Sequence, residues 1–406
     1  MSPARTLFTG GRLFDGTAFG DGDVVLEGGR VVAVGPGLDG DTAVDCAGAT
    51  VLPGLVDAHV HVLASGVDTL AALQKPFSYP FYEAARNLGA TLAAGITTVR
   101  DAGGADLGLK RAVERGLVAG PRMLIAISAL SQTGGHGDDW MPSGIAVPLF
   151  LPHPGRPASV VDGPDEVRRA VRTILRAGAD VIKVHTTGGV LSPADDPRHA
   201  HFRAPELDVL VEEASAAHVA VMAHAQGAEG IKAAVRAGIR SIEHGIYLDD
   251  EAVELMLERG TWLVPTLVAP HAVVAAARAG AAVPEVVVAK ALAVAEVHAA
   301  AVARAVAAGV PVAMGTDSGV GPHGENLSEL ALMAQVGMTP QAVLAASTSR
   351  AATLLGLDDV GRLAPGARGD LVVVDGRLEG PGELEGLRPR VREVWKDGVR
   401  AVAHPS

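Results

Sequence analysis

The sequence has almost no cysteine and no excess of positive charge. Cys46 is the single cysteine among 406 residues, which excludes an intrachain disulfide and a cysteine-based zinc cluster and fits a reducing compartment. The 34 Lys and Arg residues are outnumbered by 46 Asp and Glu residues, so the formal net charge is −12. Because such a charge repels phosphate groups, we expect neither nucleic acid nor an anionic membrane surface as a partner.

Long apolar runs without charges are also missing. The N-terminal stretch MSPARTLFTGGRLFDG lacks the apolar segment of a signal peptide, and the Ala- and Val-rich stretch VVVAKALAVAEVHAAAVARAV is interrupted by Lys290, Glu296 and Arg304. We therefore predict a cytoplasmic protein with neither a signal peptide nor a membrane span. With 48% apolar residues, a chain of this length suits a large barrel or a pair of domains.

Gly and Asp separate short apolar runs at both ends of the chain. The pattern of GDVVLEGGRVVAVGPG near the N-terminus returns after Leu357 in GRLAPGARGDLVVVDG, and it is typical of small antiparallel strands joined by tight turns. Because the two ends resemble each other and differ from the middle, they predict one discontinuous domain. We assign residues 1–54 and 358–406 to a small β-sandwich domain, and residues 55–357 to a central domain.

The central part alternates short apolar strands with helical segments. Segments such as PDEVRRAVRTILRAGA have apolar residues three and four apart and stop at a glycine. The candidate strands lie near residues 55–61, 97–104, 122–130, 180–189, 219–225, 241–245, 261–269 and 310–319. Eight such units predict an α/β protein with a (β/α)8 TIM barrel, whose site lies at the C-terminal ends of the strands.

Polar residues able to bind a metal lie on these predicted strands, most of them at the C-terminal ends. His59 and His61 end the first strand, and their spacing by two puts both imidazoles on one side. Lys183 lies inside an apolar strand, where an unpaired ammonium group would be costly. Nitrogen and oxygen donors of this kind suit zinc, manganese or iron. The predicted metal-site residues are His59, His61, Lys183, His224, His244 and Asp317.

Several segments together resemble a known family. GLVDAHVH, VIKVHTTGGVLSPADDPRH, MAHAQG, SIEHG and MGTDSG resemble the amidohydrolase superfamily. The likeness is greatest to its prolidase-like metal-dependent dipeptidases and carboxypeptidases, a branch that includes N-acyl amino acid amidohydrolases and is related to imidazolonepropionase. The resemblance implies hydrolysis of an amide or peptide bond in a dipeptide or an N-acyl amino acid, by a homo-oligomer.

The same resemblance implies a centre of two divalent ions, expected to be zinc. Lys183 would carry carbon dioxide as N6-carboxylysine and bridge the two ions, which would cancel its charge. Asp317 would accept a proton from the bridging hydroxide and pass it to the leaving nitrogen. The remaining ligands implied are His59 and His61 for one ion and His224 and His244 for the other.

The long loop after strand three, residues 131–165, is expected to shape the substrate pocket. By the same resemblance, His136 in this loop would hydrogen-bond the substrate carbonyl and stabilise the oxyanion; its alternative role is to stabilise the loop. Trp140 gives the loop an apolar surface that either contacts the substrate or packs the loop down. The loop thus supplies one catalytic candidate and one binding candidate.

The loop after strand four supplies Arg198 and Arg203, either of which can pair with a substrate carboxylate. Arg198 can instead pair with a neighbouring aspartate and only order that loop. Two further residues depart from the family pattern and are candidates for substrate contact. His185 shares a strand face with Lys183, and Gln226 follows His224 where some relatives carry tyrosine.

Other functions remain open at this level. Hydrolysis of a cyclic amide, as in imidazolonepropionase, is expected to use one metal and no bridging lysine, so Lys183 argues against it. Deamination is expected to need an HxxE acid, which neither MAHAQG nor IEHG presents. A non-catalytic scaffold on the same fold would be expected to have lost metal ligands, whereas every expected ligand is present.

Overall fold

We describe the fold from a computed structural model that covers residues 4–141 and 143–403. Its strands are β1 (Thr6–Thr9), β2 (Arg12–Phe14), β3 (Phe19–Asp21), β4 (Asp23–Glu27), β5 (Arg30–Gly35), β6 (Thr42–Asp45), β7 (Ala49–Pro53), β8 (Leu55–Val60), β9 (Ile96–Asp101), β10 (Arg122–Ile125), β11 (Ala129–Leu130), β12 (Val181–His185), β13 (Ala220–Ala225), β14 (Ser241–His244), β15 (Trp262–Val264), β16 (Leu371–Asp375), β17 (Val391–Lys396) and β18 (Val399–Ala403).

Its helices are α1 (Thr69–Leu73), α2 (Tyr79–Ala93), α3 (Leu107–Glu114), α4 (Pro164–Arg176), α5 (Ala204–Ala216), α6 (Ala228–Ala237), α7 (Asp250–Arg259), α8 (Val268–Arg278), α9 (Glu285–Ala308), α10 (Ser328–Gln335), α11 (Pro340–Ala346) and α12 (Ser349–Leu355). Two short 3-10 turns, Pro381–Leu384 and Arg388–Arg390, precede β17.

The two ends of the chain pair with each other. One sheet has the order β18-β17-β16-β7-β2-β3, and within it β16 runs antiparallel to β7, with Leu371 opposite Pro53. A second sheet has the order β5-β4-β1-β6. Side chains from both sheets, such as Phe8 and Val373, share one buried apolar cluster that also contains Cys46. Residues from the two ends of the chain therefore contribute to one apolar cluster.

The strands between the two ends pair in parallel. They form one sheet of order β10-β9-β8 and another of order β11-β12-β13-β14-β15. Helices occupy most of the connections between these strands, and most strand residues of both sheets are buried. Because parallel strands run in one direction, their C-terminal ends lie at the same edge, where the predicted metal ligands follow.

The eighth predicted strand is irregular. Residues 311–318 make two isolated parallel bridges, Leu263 with Val312 and Val60 with Ser318. The segment thus contacts β15 on one side and β8 on the other. At Gly315 any Cβ would come within 2.3 Å of the Val264 side chain, so the segment passes its neighbour too closely for a larger residue. The segment joins the two parallel sheets without forming a regular strand.

Two other predicted strands are shorter than the sequence pattern indicates. The stretch 122–130 is divided into β10 and β11, because Ile127 between them adopts a φ of 64°. The stretch 261–269 ends as a strand at Val264, since Pro265 has no N–H to donate and Thr266 has a φ of 50°. In both cases the apolar run continues after the extended backbone has ended.

The helices follow the predicted periodicity. In α4 the buried residues Val167, Val171 and Ile174 recur at intervals of three and four. Helix α6 ends at Gly238, whose φ of 92° is the left-handed conformation that glycine adopts at helix ends. Amphipathic helices ended by glycine therefore separate the parallel strands.

Helix α9 is long and apolar enough, by length and composition, to cross a membrane, with a mean hydropathy of 1.8. Its buried residues Val287, Val294 and His298 lie on one face, and this face packs against the rest of the protein. The helix is also fixed by polar contacts, since Lys290 Nζ donates to the carbonyl oxygen of Ser192 at 2.9 Å. A helix that packs one face against a protein core can have the same length and composition, so α9 is weak evidence for a membrane span.

Candidate metal centre

The two histidines at the end of β8 face one carboxylate. His59 Nδ1 donates to Glu243 Oε2 at 2.7 Å, which leaves Nε2 at 3.5 Å from Asp317 Oδ1. His61 Nδ1 donates to the Gly103 carbonyl oxygen at 2.8 Å, and its Nε2 lies 3.3 Å from Asp317 Oδ1. As the spacing by two predicts, both imidazoles present the same ring nitrogen to the same side.

The histidines on β13 and β14 complete the cluster. His244 Nδ1 lies 2.7 Å from Thr266 Oγ1, and His224 Nε2 donates to the Gly188 carbonyl oxygen at 3.0 Å. The His244 ring centre is 4.7 Å from that of His224 and 5.1 Å from that of His59. His59, His244 and Asp317 place one potential ligand atom each within 4.8 Å of one another.

This arrangement fits a metal ion. A histidine that binds a metal uses one ring nitrogen and donates its other N–H to a protein acceptor, and all four imidazoles have such a partner. Burial lowers the pKa of His59 and His224 well below the usual range and that of His244 to about 3. These three rings are therefore neutral, which is the form that binds metal.

Lys183 lies among these ligands with its amine unpaired. Its side chain is 2% exposed and lines the same cavity as the four histidines and Asp317. In the part of the chain that the structure describes, its Nζ makes no hydrogen bond or ion pair. Burial lowers the pKa of Lys183 to about 8, so a neutral amine is accessible near physiological pH. A neutral amine is a nucleophile, whereas an ammonium ion is not.

Backbone strain is concentrated at the same strand ends. His244, Thr266 and Asp317 have φ values of 74°, 50° and 59°, in the left-handed region that non-glycine residues seldom adopt. Each of these residues directly follows or ends an extended segment, and two of them carry potential ligand atoms. Strain of this kind persists where surrounding contacts enforce it, and it clusters at functional sites.

A buried polar network holds the histidines, and it was not predicted from the sequence. Glu243 accepts from both His59 and Arg100, the latter at 2.9 Å, and Arg100 Nε also donates to the Ala58 carbonyl oxygen. Asp57 accepts from Thr316 Oγ1 at 2.7 Å and so ties β8 to the segment 311–318. The sequence signal that could have identified Glu243, Arg100 and Asp57 was the one used for Lys183, namely a charged residue inside a predicted strand.

His136 from the loop of residues 131–165 reaches the centre. Its ring stacks on that of His224 at 4.3 Å, and its Nδ1 lies 2.8 Å from Ser192 Oγ and 3.5 Å from Asp195 Oδ2. Lys290 on α9 lies 3.6 Å from Asp195 Oδ1. These contacts fix Nδ1 of His136 and leave its Nε2 for a ligand in the cavity.

Three of the other predicted binding residues line the cavity. The Nδ1 atom of His185 and Oε1 of Gln226 are both buried, and neither has a hydrogen-bond partner among residues 4–141 and 143–403. Trp140 lines the cavity mouth and is about half exposed, at 53%. These three side chains are therefore placed at the cavity that a bound molecule would occupy.

Arg198 and Arg203 lie elsewhere. The guanidinium of Arg198 lies over the Tyr247 ring at 4.6 Å, and the backbone N–H of Arg203 donates to Glu206 Oε2 at the start of α5. Neither side chain is among those that line the cavity. The structure therefore does not bring these two arginines to the metal centre.

The cavity above the centre has a volume of about 470 Å³ and mostly apolar walls. Its arginine is Arg156, from the loop of residues 131–165, and no prediction from the sequence pointed to that residue. The apolar wall comes from that loop, from the loops after β12 and β14 and from α8 and α9, with Met141, Leu149, Val190, Ile246, Val273 and Val287 among its residues. A cavity of this kind suits a small molecule with a sizeable apolar part.

The protein has an α/β fold in which helices flank parallel strands. Imidazoles and a carboxylate meet at the strand ends and form a cluster suited to metal-assisted hydrolysis. The chain belongs to the amidohydrolase family, which matches residues 50–402. The resemblance predicted from the sequence segments is thereby confirmed.

Relatives of known activity agree with this assignment. Over 372 residues, the chain is 36% identical to ochratoxinase of Aspergillus niger, covering 86% of this chain and 74% of that protein. It is 37% identical to a prolidase crystallised with N-methylphosphonate-L-proline, at a TM-score of 0.90, with coverage of 99% of this chain and 100% of that chain. Imidazolonepropionase of Rhizorhabdus wittichii is 28% identical over 418 residues, covering 93% and 94% of the two chains.

These similarities establish the fold type and the reaction class of the protein. It has a TIM-barrel-type α/β fold, and it is a hydrolytic enzyme that acts on amide bonds. The amidohydrolase family is generally metal-dependent, and the cluster of His59, His244 and Asp317 fits that requirement.

Proposed function

We propose that this protein is a binuclear metal-dependent hydrolase that cleaves the amide bond of a dipeptide or an N-acyl amino acid. The observation that carries the proposal is the buried amine of Lys183, unpaired among the described residues and facing a ring of metal-binding side chains. A lone cation there would be costly, whereas a carbamate on Lys183 would be an anion that can bridge two cations. The expected ligands are thus six side chains, with N6-carboxylysine at position 183.

In this proposal His59, His61 and Asp317 hold one ion, and His224 and His244 hold the other. Zinc is the expected metal, since imidazole and carboxylate donors suit it. When bound, the ions make hydroxide available near neutral pH and polarise the scissile carbonyl group. The protein side chains then have to orient the substrate and move protons.

Asp317 is proposed to move the proton. Burial alone would raise the pKa of Asp317, but the hydrogen bond from the His61 ring lowers it well below its usual range. The carboxylate is therefore ionised and able to accept a proton, which it can deliver to the leaving nitrogen. An amine is a poor leaving group without that proton.

His136 is proposed to donate a hydrogen bond from Nε2 to the substrate carbonyl oxygen. Support comes from its stacking on His224 and from the fixation of Nδ1 by Ser192. A donor aimed at the developing oxyanion stabilises the transition state more than the ground state. His185, Gln226 and Trp140 are proposed to contact the substrate from the cavity wall.

We also propose how the chain is divided into a barrel and a β-sandwich. A (β/α)8 barrel over residues 55–357 is supported by segment 311–318, which bridges β8 and β15. A β-sandwich of residues 1–54 and 358–406 is supported by the cluster shared by the two end sheets. Cytoplasmic location and assembly into a homo-oligomer remain predictions.

The bridging lysine can be tested directly. We expect metal-replete protein to contain two ions per chain, and Lys183→Ala to lose activity by at least roughly 10³-fold with partial rescue by short carboxylic acids, which mimic the carbamate. Lys110→Ala on helix α3, which removes a lysine outside the cavity, serves as the matched control. Full activity in Lys183→Ala, or one ion per chain, would favour a mononuclear cyclic-amide hydrolase.

The substrate class requires a separate measurement. Metal-replete enzyme is offered dipeptides, N-acyl amino acids and lactams under identical conditions, and hydrolysis is followed by release of the free amine. We expect turnover of linear amides with an apolar acyl group. Turnover of lactams alone would replace the proposal by the imidazolonepropionase-like reaction, and turnover of nothing would favour the non-catalytic scaffold.

A further inference from the structure

Arg156 stands out among the residues that line the cavity. Apart from Lys183, it is the one Lys or Arg side chain among the described lining residues. It lies in the loop of residues 131–165, above the metal centre. The arginines predicted from the sequence, Arg198 and Arg203, lie outside the cavity, so Arg156 is the guanidinium that a bound substrate can meet.

The guanidinium of Arg156 is held in place but not neutralised. It lies over the Phe150 ring at 5.2 Å, and Nη1 donates to the backbone carbonyl oxygens of Phe150 and Leu151. Its Nε is buried and has no hydrogen-bond partner in the part of the chain that the structure describes. A guanidinium has five N–H groups, and the two of Nη2 make no hydrogen bond among the described residues, so they are the donors that a ligand can meet.

Among residues 4–141 and 143–403, no acidic side chain forms an ion pair with this cation. Asp139 is the acid whose charge acts most on Arg156, and it does not form an ion pair with it. Burial also raises the pKa of Asp139 to about 6, so this carboxyl group becomes neutral only in mildly acidic solution. A partly buried cation without a counter-ion is costly, and an anion supplied by the substrate would offset that cost.

The position of Arg156 matches the chemistry of the reaction. The Phe150 ring lies 5.9 Å from the ring of His61, so one phenyl ring separates the guanidinium from a metal ligand. In a dipeptide or an N-acyl amino acid, only one nitrogen and one α-carbon separate the scissile carbonyl from the terminal carboxylate. Arg156 and the metal-binding histidines line the same cavity, so a bound substrate can contact both.

We propose that Arg156 binds the free α-carboxylate of the substrate, and that this contact selects N-acyl amino acids and dipeptides over amides without an adjacent carboxylate. The inference rests on the amide hydrolysis proposed above. A guanidinium and a carboxylate form paired, charge-assisted hydrogen bonds, which fix orientation as well as affinity. The apolar part of the acyl group can then contact apolar lining residues such as Val190, Ile246 and Val273.

A matched pair of substrates tests this role. An N-acyl amino acid and its C-terminal carboxamide contain the same scissile bond, so only the carboxylate differs. We expect the wild-type enzyme to prefer the acid, and Arg156→Met to lower kcat/KM for the acid by roughly 10- to 100-fold, mainly through KM. The carboxamide should change by less than about threefold, and Arg156→Lys should retain part of the preference for the acid.

Two controls separate this role from a structural one. Metal content and melting temperature of each variant show whether the loop and the centre are intact, and Arg169→Met removes an exposed arginine on α4 that is outside the cavity. Equal losses on acid and carboxamide in Arg156→Met would overturn the proposal and leave Arg156 as a residue that orders the loop. Wild-type enzyme that hydrolyses neither compound would instead overturn the amide hydrolysis on which it rests.

Discussion

The strand ends and the loops above them hold the candidate site in different ways. At the strand ends, each imidazole donates to or contacts a nearby acceptor, as His59 does with Glu243 and His244 with Thr266. In the loops, His136 depends on Ser192, which comes from a different part of the chain. The partner of His59 lies on strand β14, so the parallel strands hold both groups, whereas His136 and Ser192 lie on separate loops and are placed only when these loops meet.

This difference predicts that variants at the strand ends affect chemistry and metal binding, and that loop variants affect substrate handling.

The largest effect is expected for Asp317→Asn. Asparagine tolerates the left-handed backbone at this position, so the change removes the base and one metal contact without adding strain. We expect kcat to fall by roughly 10²- to 10⁴-fold in steady-state assays. Activity within tenfold of wild type would exclude Asp317 as the proton carrier.

A smaller effect is expected for Glu243→Gln, because Glu243 positions His59 without touching the substrate. Loss of such a partner typically weakens metal affinity by about 10- to 100-fold, which competition with a chelator would measure. The change also leaves Arg100 buried without its carboxylate. The double variant Glu243→Gln/Arg100→Met removes that unpaired charge, and it should remain folded yet still bind metal weakly. Unchanged metal affinity in both variants would show that Glu243 does not support metal binding.

In the loops, Lys290→Met is expected to act more weakly still. Lys290 donates to the carbonyl oxygens of Gly189 and Ser192, and so holds the segment that contacts His136. Losing these bonds should lower kcat by roughly three- to tenfold, while the metal content stays at the wild-type value. If the metal content fell together with kcat, the loop contacts would also contribute to metal binding, and the proposed difference between loops and strand ends would not hold.

The smallest effect is expected for Arg198→Met and Arg203→Met. Both side chains lie outside the cavity, so kcat/KM for a carboxylate-containing substrate should change by less than about twofold. The measurement repeats the paired assay of acid and carboxamide used for Arg156. A selective loss on the acid in either variant would restore the prediction made from the sequence and would require that the loop after β12 closes over the substrate.

The sequence was sufficient for the features that follow from periodicity. Alternation along β8 puts His59 and His61 on one side, and the direction of parallel strands brings His224, His244 and Asp317 to the same edge. It was not sufficient where the backbone leaves regular structure. Ile127 and Thr266 end their strands early through positive φ values, and an apolar run gives no sign of this change.

The position of the arginines also could not be predicted. The structure places Arg198 and Arg203 outside the cavity and Arg156, to which no sequence pattern pointed, in its wall. The path of the loop over residues 131–165 depends on contacts that no periodicity encodes, such as the ring of Phe150 against His61. Side chains placed by such contacts can be identified only from the three-dimensional structure.

The pairing of β7 with β16 has a consequence for biosynthesis. When β7 leaves the ribosome, its partner strand has not yet been synthesised, so one edge of the sheet formed by β2, β3 and β7 stays open while the central part of the chain is translated. An open edge can pair with another chain and promote aggregation. The yield of correctly folded protein should therefore depend on translation speed and on chaperones, and truncation before Leu371 should be more harmful than loss of the last few residues.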